Sequence, residues 1–334
     1  MKKFTFKVLT IVLVIIALVM CYNYKYDTYG VYNKDFSVPR VEPNQHFVKI
    51  EYLIENPSKY NAYCFGSSRV GNIDLKKIHN GYNYYNMTYS EGVPGEWLED
   101  INILLKHHVA IKQVMIGIDD FSFRVEPQRH NNQYLRMPYK ENNIYTYISY
   151  LLKPPSKPSY DTNSMSLYDI YDSGRPLHTW ADDKIESDVE SHIHGKAFSE
   201  GSPYVGERIQ QTIAEIQKIK EITAANDIEL IVFINPINLL TYCGNNLAEF
   251  DEFKRELANI TDFYDFSGVN DITKNNYYYY ETSHYRPMVG DMIVQRIFEM
   301  PKEEGECFGT WVTKENVNAH IMKLNEEISD YGMR

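Results

Sequence analysis

Apolar positions along the chain alternate between short continuous runs and stretches in which they recur every three or four residues. The continuous runs predict buried strands, and they lie at 60–66, 81–89, 112–123, 228–236 and 261–268. The recurring positions predict amphipathic helices, and they lie at 47–56, 95–108, 206–227, 249–260 and 286–300. Because strands and helices alternate, the pattern predicts an α/β protein whose parallel sheet is covered by helices.

The alternation is interrupted in the middle third of the chain, which is rich in proline, serine and charge. We expect residues 128–200 to form an insertion that caps the sheet. The predicted organisation is a membrane segment at 1–22, an extended linker at 23–45, the α/β domain at 46–310 and a C-terminal helix at 311–334.

The N-terminal segment has the pattern of a membrane anchor. Three lysines precede an apolar run at residues 8–21, which with its aromatic flanks is close to the minimum of about 17 residues for a spanning helix. The lysines place the N-terminus in the cytoplasm and the rest of the chain outside the cell membrane. A cleaved signal peptide is the alternative, but no small-x-small cleavage site precedes Asn23. We therefore expect an uncleaved, single-pass signal anchor.

Composition and charge limit the partners. With a net charge of −11, the chain lacks the basic surface that nucleic-acid phosphates need, so no nucleic-acid partner is expected. Hydrophobic residues make up 43% of the chain, as in folded globular proteins. The four cysteines have no metal-type spacing, so neither a metal nor another cofactor is expected. Cys243 and Cys307 are the plausible disulfide pair outside the cell, and two free thiols are the equal alternative.

The sequence YCFGSSRVGN at 63–72 continues a predicted buried strand with small residues. A tight turn is the simplest interpretation, and a turn that presents the Ser68 hydroxyl at the sheet edge is the chemical alternative. A nucleophilic serine needs a base, usually a histidine that a carboxylate orients. His284 lies in a predicted loop before a helix, and Glu281 precedes it by three residues, so the carboxylate can fold back onto Nδ1. We therefore predict a Ser68–His284–Glu281 triad.

The GSS sequence at 66–68 and the E-x-x-H sequence at 281–284 resemble the first and last motifs of the SGNH (GDSL-like) hydrolase family. The resemblance covers residues 60–125 and 205–300 and implies a three-layer, flavodoxin-like α/β/α sandwich with an inserted cap. The membrane segment and the GSSR variant are most similar to membrane-anchored members that take part in acylation of bacterial cell-surface polysaccharides, such as DltD and alginate-acetylation proteins. In this family Gly66 would support the turn.

The chain departs from the family pattern at two support positions. Ser67 stands where the family has an aspartate, a position that supports the turn. Glu281 replaces the family's aspartate, and other serine hydrolases also pair histidine with glutamate. Asp265, beside the last predicted strand, is the reserve acid if Glu281 points away.

The resemblance also implies an oxyanion hole, with donors from the amides of Ser68 and Thr88, or of Gly92 in place of Thr88. Asp119 stands where the family has a donating asparagine, and the loss of one such donor costs about 2.7–4 kcal/mol. Three interpretations are open: Asp119 is turned away, it is protonated, or catalysis is weak or redirected. Arg69, next to the nucleophile, is expected to supply the missing positive charge.

Together with the membrane segment, the resemblance implies an extracytoplasmic serine esterase or O-acyltransferase acting on acyl esters of a cell-envelope glycan. It also implies a membrane-bound O-acyltransferase as partner, which would hand the acyl group across the bilayer. A non-catalytic accessory protein of the same fold, binding the glycan or the acyltransferase, is the alternative. A metal site at His192 and His194 is a further alternative, but no third ligand is spaced for it.

Overall fold

Eight strands form within the described residues, and six of them build one central sheet. The computed structural model describes residues 2–33, 40–127, 129, 133–141, 143–156, 167–177, 179–199, 204–302 and 307–331. The strands are β1 Arg40–Val41, β2 Ala62–Gly66, β3 Tyr84–Asn86, β4 Gln113–Ile118, β5 Leu167–Tyr168, β6 Glu229–Ile234, β7 Phe263–Asp265 and β8 Thr310–Val312. The central sheet has the order β3-β2-β4-β6-β7-β8, and β1 pairs with β5 outside it. The predicted α/β class is confirmed.

Eleven α-helices accompany these strands in the same described residues. They are α1 Lys2–Tyr26, α2 Gln45–Glu55, α3 Pro94–Lys106, α4 Ile144–Leu152, α5 Thr179–Ser187, α6 Val189–Ile193, α7 Ile209–Ala225, α8 Leu239–Gly244, α9 Leu247–Ile260, α10 Pro287–Phe298 and α11 Val317–Asp330. The five helices predicted from apolar spacing all form, as α2, α3, α7, α9 and α10. Pro287 opens α10, because the first helical position needs no backbone N–H donor.

The sheet is mostly parallel rather than wholly parallel. The five strands from β3 to β7 in the sheet order pair in parallel with their neighbours. The last strand, β8, is antiparallel to β7. Trp311 of β8 packs edge-on against Tyr264, with ring centroids 4.6 Å apart. Two expectations are corrected here. The strand at 261–268 is not the last of the sheet, and a helix does not occupy the whole of 311–334.

Successive residues of the inner strands enter two cores on opposite faces of the sheet, as strand geometry requires. In β2, Tyr63 and Phe65 join the core that α2, α3, α7, α9 and α11 complete. Ala62 and Cys64 join the core that α10 completes on the other face. All six residues of β4 are buried, which is expected for a parallel strand covered on both faces.

The five parallel strands have the order 2-1-3-4-5 when they are counted along the chain. The connection after β2 leads to β3 on one side, and the connection after β4 leads to β6 on the other side. Ligands of open α/β sheets bind outside the carboxyl ends of the strands at such a switch point. The residues that follow Gly66 and Ile118 therefore mark the expected site.

α1 is long and apolar enough to cross a membrane. Its most apolar 18-residue window has a mean hydropathy of 2.7, and none of that window is buried. The helix has 25 residues, about 37 Å at 1.5 Å per residue, against about 30 Å for a bilayer core. It extends to Tyr26, beyond the predicted limit at residue 22.

The predicted linker at 23–45 is not a free extended segment in its described part. Asn23 donates hydrogen bonds to the carbonyls of Leu151 and Lys153, at 2.8 and 2.9 Å. Asn44 caps the start of α2, and β1 pairs with β5 of the insertion. The linker and the insertion therefore pack together as one cap.

The described part of the insertion contains α4, β5, α5 and α6, while residues 157–166 lie outside the described residues. No disulfide joins Cys243 to Cys307. Of the two alternatives for this pair, the predicted disulfide is therefore the one that the structure does not have.

Candidate active site

Ser68 begins a 3-10 turn at the carboxyl end of β2. Gly66 allows this turn to pack against the strand, since a Cβ at that position would lie 2.2 Å from a methyl carbon of Val70. Ser67 caps the turn, and its hydroxyl accepts a hydrogen bond from the Arg69 amide at 3.2 Å. The turn leaves Ser68 half-buried at the switch point of the sheet.

Ser68, His284 and Glu281 form one hydrogen-bonded chain. The Ser68 Oγ lies 2.7 Å from His284 Nε2, and His284 Nδ1 contacts Glu281 Oε1. Because an ionised carboxylate can only accept, Nδ1 carries the imidazole proton and Nε2 is left to accept from the serine hydroxyl. In this arrangement a histidine can take the proton of an attacking serine.

Glu281 points toward His284 and is ionised. It also accepts hydrogen bonds from the amides of Ser283, at 2.6 Å, and His284, at 2.9 Å. Burial acts to raise the pKa of Glu281, but its bonds to His284 and to these amides outweigh burial and hold the pKa below its ordinary value. The short E-x-x-H spacing therefore folds into a closed loop around one carboxylate.

Asp265, the reserve acid, is engaged away from His284. Its Oδ2 lies 2.9 Å from Lys254 Nζ and 2.9 Å from His320 Nε2. Burial acts to raise the pKa of Asp265, but Lys254 and His320 lower it far below its ordinary value. This buried cluster joins α9 and α11 to the end of β7, and it leaves Glu281 as the acid next to His284.

Arg69 is buried among acidic groups and does not line the cavity that opens over Ser68. Its side chain is 3% exposed, and Nη1 lies 2.8 Å from Asp119 Oδ1 and 2.6 Å from Asp120 Oδ1. Its Nε donates to the Ser283 carbonyl at 2.7 Å. The expectation that Arg69 supplies charge to an oxyanion is therefore corrected. Arg69 instead ties the serine turn to the end of β4 and to the histidine loop.

Asp119 is fully buried and faces away from the cavity. Besides Arg69, it accepts a hydrogen bond from Asn235 Nδ2 at 3.1 Å. Burial raises the pKa of Asp119, although Arg69 and the Ser67 hydroxyl oppose this effect. Of the three interpretations of Asp119, the structure has the one in which it is turned away. Asn235 was not predicted, because nothing in its spacing links the end of β6 to that of β4.

The Thr88 amide is not available as an oxyanion donor, because it donates to Asn86 Oδ1 at 2.8 Å. The Gly92 amide donates to the Tyr89 carbonyl at 3.3 Å. Thr88 instead supports the site through its hydroxyl, which donates to the Ser67 carbonyl. The expectation of an oxyanion amide at Thr88 or Gly92 is therefore corrected.

Two other backbone amides are suited to that role. In the part of the chain that the structure describes, the Ser68 and Ser90 amides make no hydrogen bond, and both residues line the same cavity. The Ser68 amide was predicted and Ser90 was missed. The segment 88–92 offers several amides in a row, and spacing alone does not distinguish the one that its loop leaves unbonded.

A cavity of about 420 Å³ opens over Ser68 and His284. The cap and the sheet-edge loops contribute its remaining wall, which consists of Glu42, Pro43, Gln45, Ser90, Leu135, Tyr168, Pro176, Tyr280 and Glu281. Within the described residues, no lysine or arginine lines this cavity. The cavity therefore suits an uncharged group better than an anion.

The two histidines of the insertion do not converge on a metal. His192 Nε2 lies 2.8 Å from the Tyr279 carbonyl, and His194 contacts Glu190 at the surface. In the ranges that the structure describes, no cluster of three or more histidine, cysteine or acidic side chains could hold a metal.

No protein-family model matches the chain, and no curated protein matches it by sequence. The chemistry of the site therefore follows from its own groups: a serine hydroxyl, an imidazole that can accept its proton, and a carboxylate that orients the imidazole.

Proposed function

We propose that this protein is a membrane-anchored serine esterase or O-acyltransferase that uses Ser68, His284 and Glu281. The observation that carries the proposal is the 2.7 Å separation of Ser68 Oγ and His284 Nε2, with Glu281 on the other ring nitrogen. Ser68 and His284 are 216 residues apart in the chain, so the fold as a whole brings them together.

In the first half-reaction, the Ser68 Oγ attacks the ester carbonyl carbon while His284 Nε2 takes the hydroxyl proton. The carbonyl electron pair moves onto oxygen, and the oxyanion accepts hydrogen bonds from the Ser68 and Ser90 amides. The carbon–oxygen bond to the leaving alcohol then breaks, His284 returns the proton to that alcohol, and an acyl ester remains on Ser68. Water or an acceptor hydroxyl repeats the sequence, which gives hydrolysis or transfer respectively.

The shape and lining of the site support an acyl ester as substrate. The strand order 2-1-3-4-5 supports a flavodoxin-like α/β/α sandwich, and we propose from the resemblance that the chain belongs to the SGNH family. Pro43, Leu135 and Pro176 give the cavity an apolar wall for the acyl group. The glycan itself is proposed from the family resemblance.

The anchor supports a position at the cell membrane. α1 would span the bilayer, and the lysines before it favour a cytoplasmic N-terminus and an extracytoplasmic catalytic domain. A membrane-bound O-acyltransferase that delivers the acyl group across the bilayer is the proposed partner. Anchoring keeps the catalytic domain next to such a donor.

A non-catalytic accessory protein of the same fold is the second candidate. Asp119 favours it, because the strand end that carries a donating asparagine in the SGNH family holds a buried carboxylate here. Such a protein would bind the glycan or the acyltransferase without turnover.

The two candidates are separated by labelling the full-length chain in detergent with a fluorophosphonate and by measuring p-nitrophenyl acetate hydrolysis. We expect the wild type to label and turn over, Ser68→Ala to lose both, and Ser329→Ala, which alters an exposed serine of α11, to keep both. Folded wild-type protein that neither labels nor turns over would overturn the catalytic proposal. Labelling that persists in Ser68→Ala would show that another residue is the nucleophile.

A further inference from the structure

The exposed apolar side chains outside α1 are concentrated on one helix of the cap. Within the described residues they are Leu135, Ile144, Tyr145, Ile148, Leu152, Tyr171, Val205, Met322 and Tyr331. Four of these nine belong to α4, although α4 has only nine residues. A contiguous apolar surface of this kind indicates an interaction site, whereas single exposed apolar residues do not.

The apolar side chains of α4 form a stripe. Ile144, Ile148 and Leu152 recur every four residues and so share one face of the helix, with Tyr145 beside them. The exposed fraction is 64% for Ile144, 39% for Ile148, 49% for Leu152 and 81% for Tyr145. Tyr150, on the other side of the helix, is buried against the domain. The sequence of α4, IYTYISYLL, contains no charged residue. The exposed stripe therefore carries no charge that would oppose contact with lipid.

α4 packs against α1, close to the end at which α1 joins the rest of the domain. The Asn23 side chain of α1 donates to the carbonyls of Leu151 and Lys153, at 2.8 and 2.9 Å. The Tyr32 hydroxyl, just after α1, donates to the Tyr147 carbonyl within α4. These bonds hold the middle and the C-terminal end of α4 at a fixed position relative to α1, the helix that could span a membrane.

Tyrosine residues surround this junction. Tyr22, Tyr24 and Tyr26 occupy the end of α1, and Tyr145 and Tyr147 lie in the first turn of α4. Tyrosine combines an apolar ring with a polar hydroxyl, and it is enriched at the level of the lipid headgroups. The tyrosines therefore indicate the same depth for the end of α1 and for α4.

We infer that α4 lies in the interfacial layer of the membrane, with Ile144, Ile148 and Leu152 inserted among the lipids. The helix that carries the stripe packs against α1, and the occupant that suits an uncharged apolar face next to a spanning helix is the bilayer itself. This inference rests on the proposed membrane insertion of α1 and is independent of the proposed catalysis.

The inference has a consequence for the candidate active site. Tyr134 packs on Tyr150 of α4, with ring centroids 5.4 Å apart, and the Tyr150 hydroxyl donates to the Tyr134 carbonyl. The next residue, Leu135, lines the cavity over Ser68. One wall of the cavity is therefore built on the helix that contacts lipid, so an acyl ester would be bound close to the membrane surface.

The experiment places a polarity-sensitive fluorophore at single cysteines of the full-length chain in phosphatidylcholine vesicles. Replacing Cys21, Cys243 and Cys307 by serine leaves only Cys64, which is fully buried. In that background, Leu13→Cys reports on α1, and Ile148→Cys and Leu152→Cys report separately on the stripe. Met322→Cys is the matched control, an apolar residue 63% exposed in α11.

We expect nitroxide-labelled lipids to quench the probes at Leu13, Ile148 and Leu152 strongly and the probe at Met322 weakly, with aqueous iodide giving the reverse order. Lipid quenching at Leu13 together with iodide quenching at both α4 positions would overturn the inference and leave the anchor intact. Iodide quenching at all positions would overturn the anchor and the inference together. Esterase activity is not part of the readout, so a failure of the catalytic proposal would not affect the result.

Discussion

Replacing Arg69 by methionine tests whether this buried arginine acts on the fold or on the reacting charge. Its side chain and those of Asp119 and Asp120 are each at most 3% exposed. Methionine keeps an unbranched apolar stem but removes the guanidinium group, so both carboxylates lose their cation. Asp119 keeps its bond from Asn235, and Asp120 keeps one from Asn245 at 3.0 Å.

The structure indicates the size of the effect on stability. Breaking a buried ion pair by removing one partner costs about 3–5 kcal/mol, because the other charge stays buried. For a chain of this length we take about 2 °C per kcal/mol, so the melting temperature should fall by about 6–10 °C. The melting temperature of Arg69→Lys should lie between those of wild type and Arg69→Met. One ammonium keeps the charge but cannot reach Asp119, Asp120 and the Ser283 carbonyl together.

The pH dependence of this loss gives a second readout. Burial already raises the pKa of Asp119, and removing Arg69 should raise it further. A carboxyl whose pKa is higher in the folded state binds more protons there, so folding stability falls as pH rises from about 4 through the folded-state pKa. The stability deficit of Arg69→Met relative to wild type should therefore shrink as the pH is lowered.

The measurements are thermal unfolding by circular dichroism in detergent and the kcat and KM for p-nitrophenyl acetate. Arg255→Met, at an exposed arginine of α9, is the matched control and should leave both unchanged. We expect Arg69→Met to lower kcat as well, because the histidine loop loses its bond at Ser283. If Arg69→Met melted at the wild-type temperature while kcat fell, the arginine would act on the reacting charge and the bracing role would be refuted.

Two further predictions concern the carboxylates. Glu281→Gln should lower kcat by about 10²–10⁴-fold, because a neutral amide cannot stabilise the protonated imidazole. The amide also presents N–H groups to the backbone donors that the carboxylate accepts from. An unchanged rate for p-nitrophenyl acetate would remove Glu281 from the mechanism. Asp265→Asn should destabilise the chain by about 3–5 kcal/mol at neutral pH, because it leaves Lys254 buried without its carboxylate. Since the pKa of Asp265 is lowered by folding, its contribution is present above about pH 4 and is lost as the pH falls. Urea unfolding of wild type should therefore show a loss of stability with acidification below pH 4 that is smaller in Asp265→Asn, and equal pH profiles would contradict this account.

Much of the fold could be predicted because apolar spacing reports which side of an element is buried. The stripe of α7, with Ile209, Ile213, Ile216 and Ile219 buried, is an example. β8 was missed because its three residues are too short to show a period and gain their burial only by pairing with β7. The pairing of β1 with β5 was missed for the same reason.

The candidate site also has a part that could be predicted from the sequence and a part that could not. Ser68 and the His284–Glu281 pair could be proposed because each forms a local motif, a small-residue turn after a strand and an E-x-x-H loop. The partners of Arg69 could not, since Asp119 and Ser283 are 50 and 214 residues away. A charge next to a nucleophile in sequence is oriented by whichever groups the fold places around it.

The sequence alone therefore determined the properties that depend on a residue and its near neighbours: an apolar helix able to span a membrane, the alternation of strands and helices, and the two motifs that meet at Ser68 and His284. The tertiary structure alone decided where buried charges are paired, which amides near Ser90 stay unbonded, and which face of α4 remains uncovered. The physical reason is that burial follows local periodicity, whereas hydrogen bonds and ion pairs depend on directions and distances that only the packed chain sets.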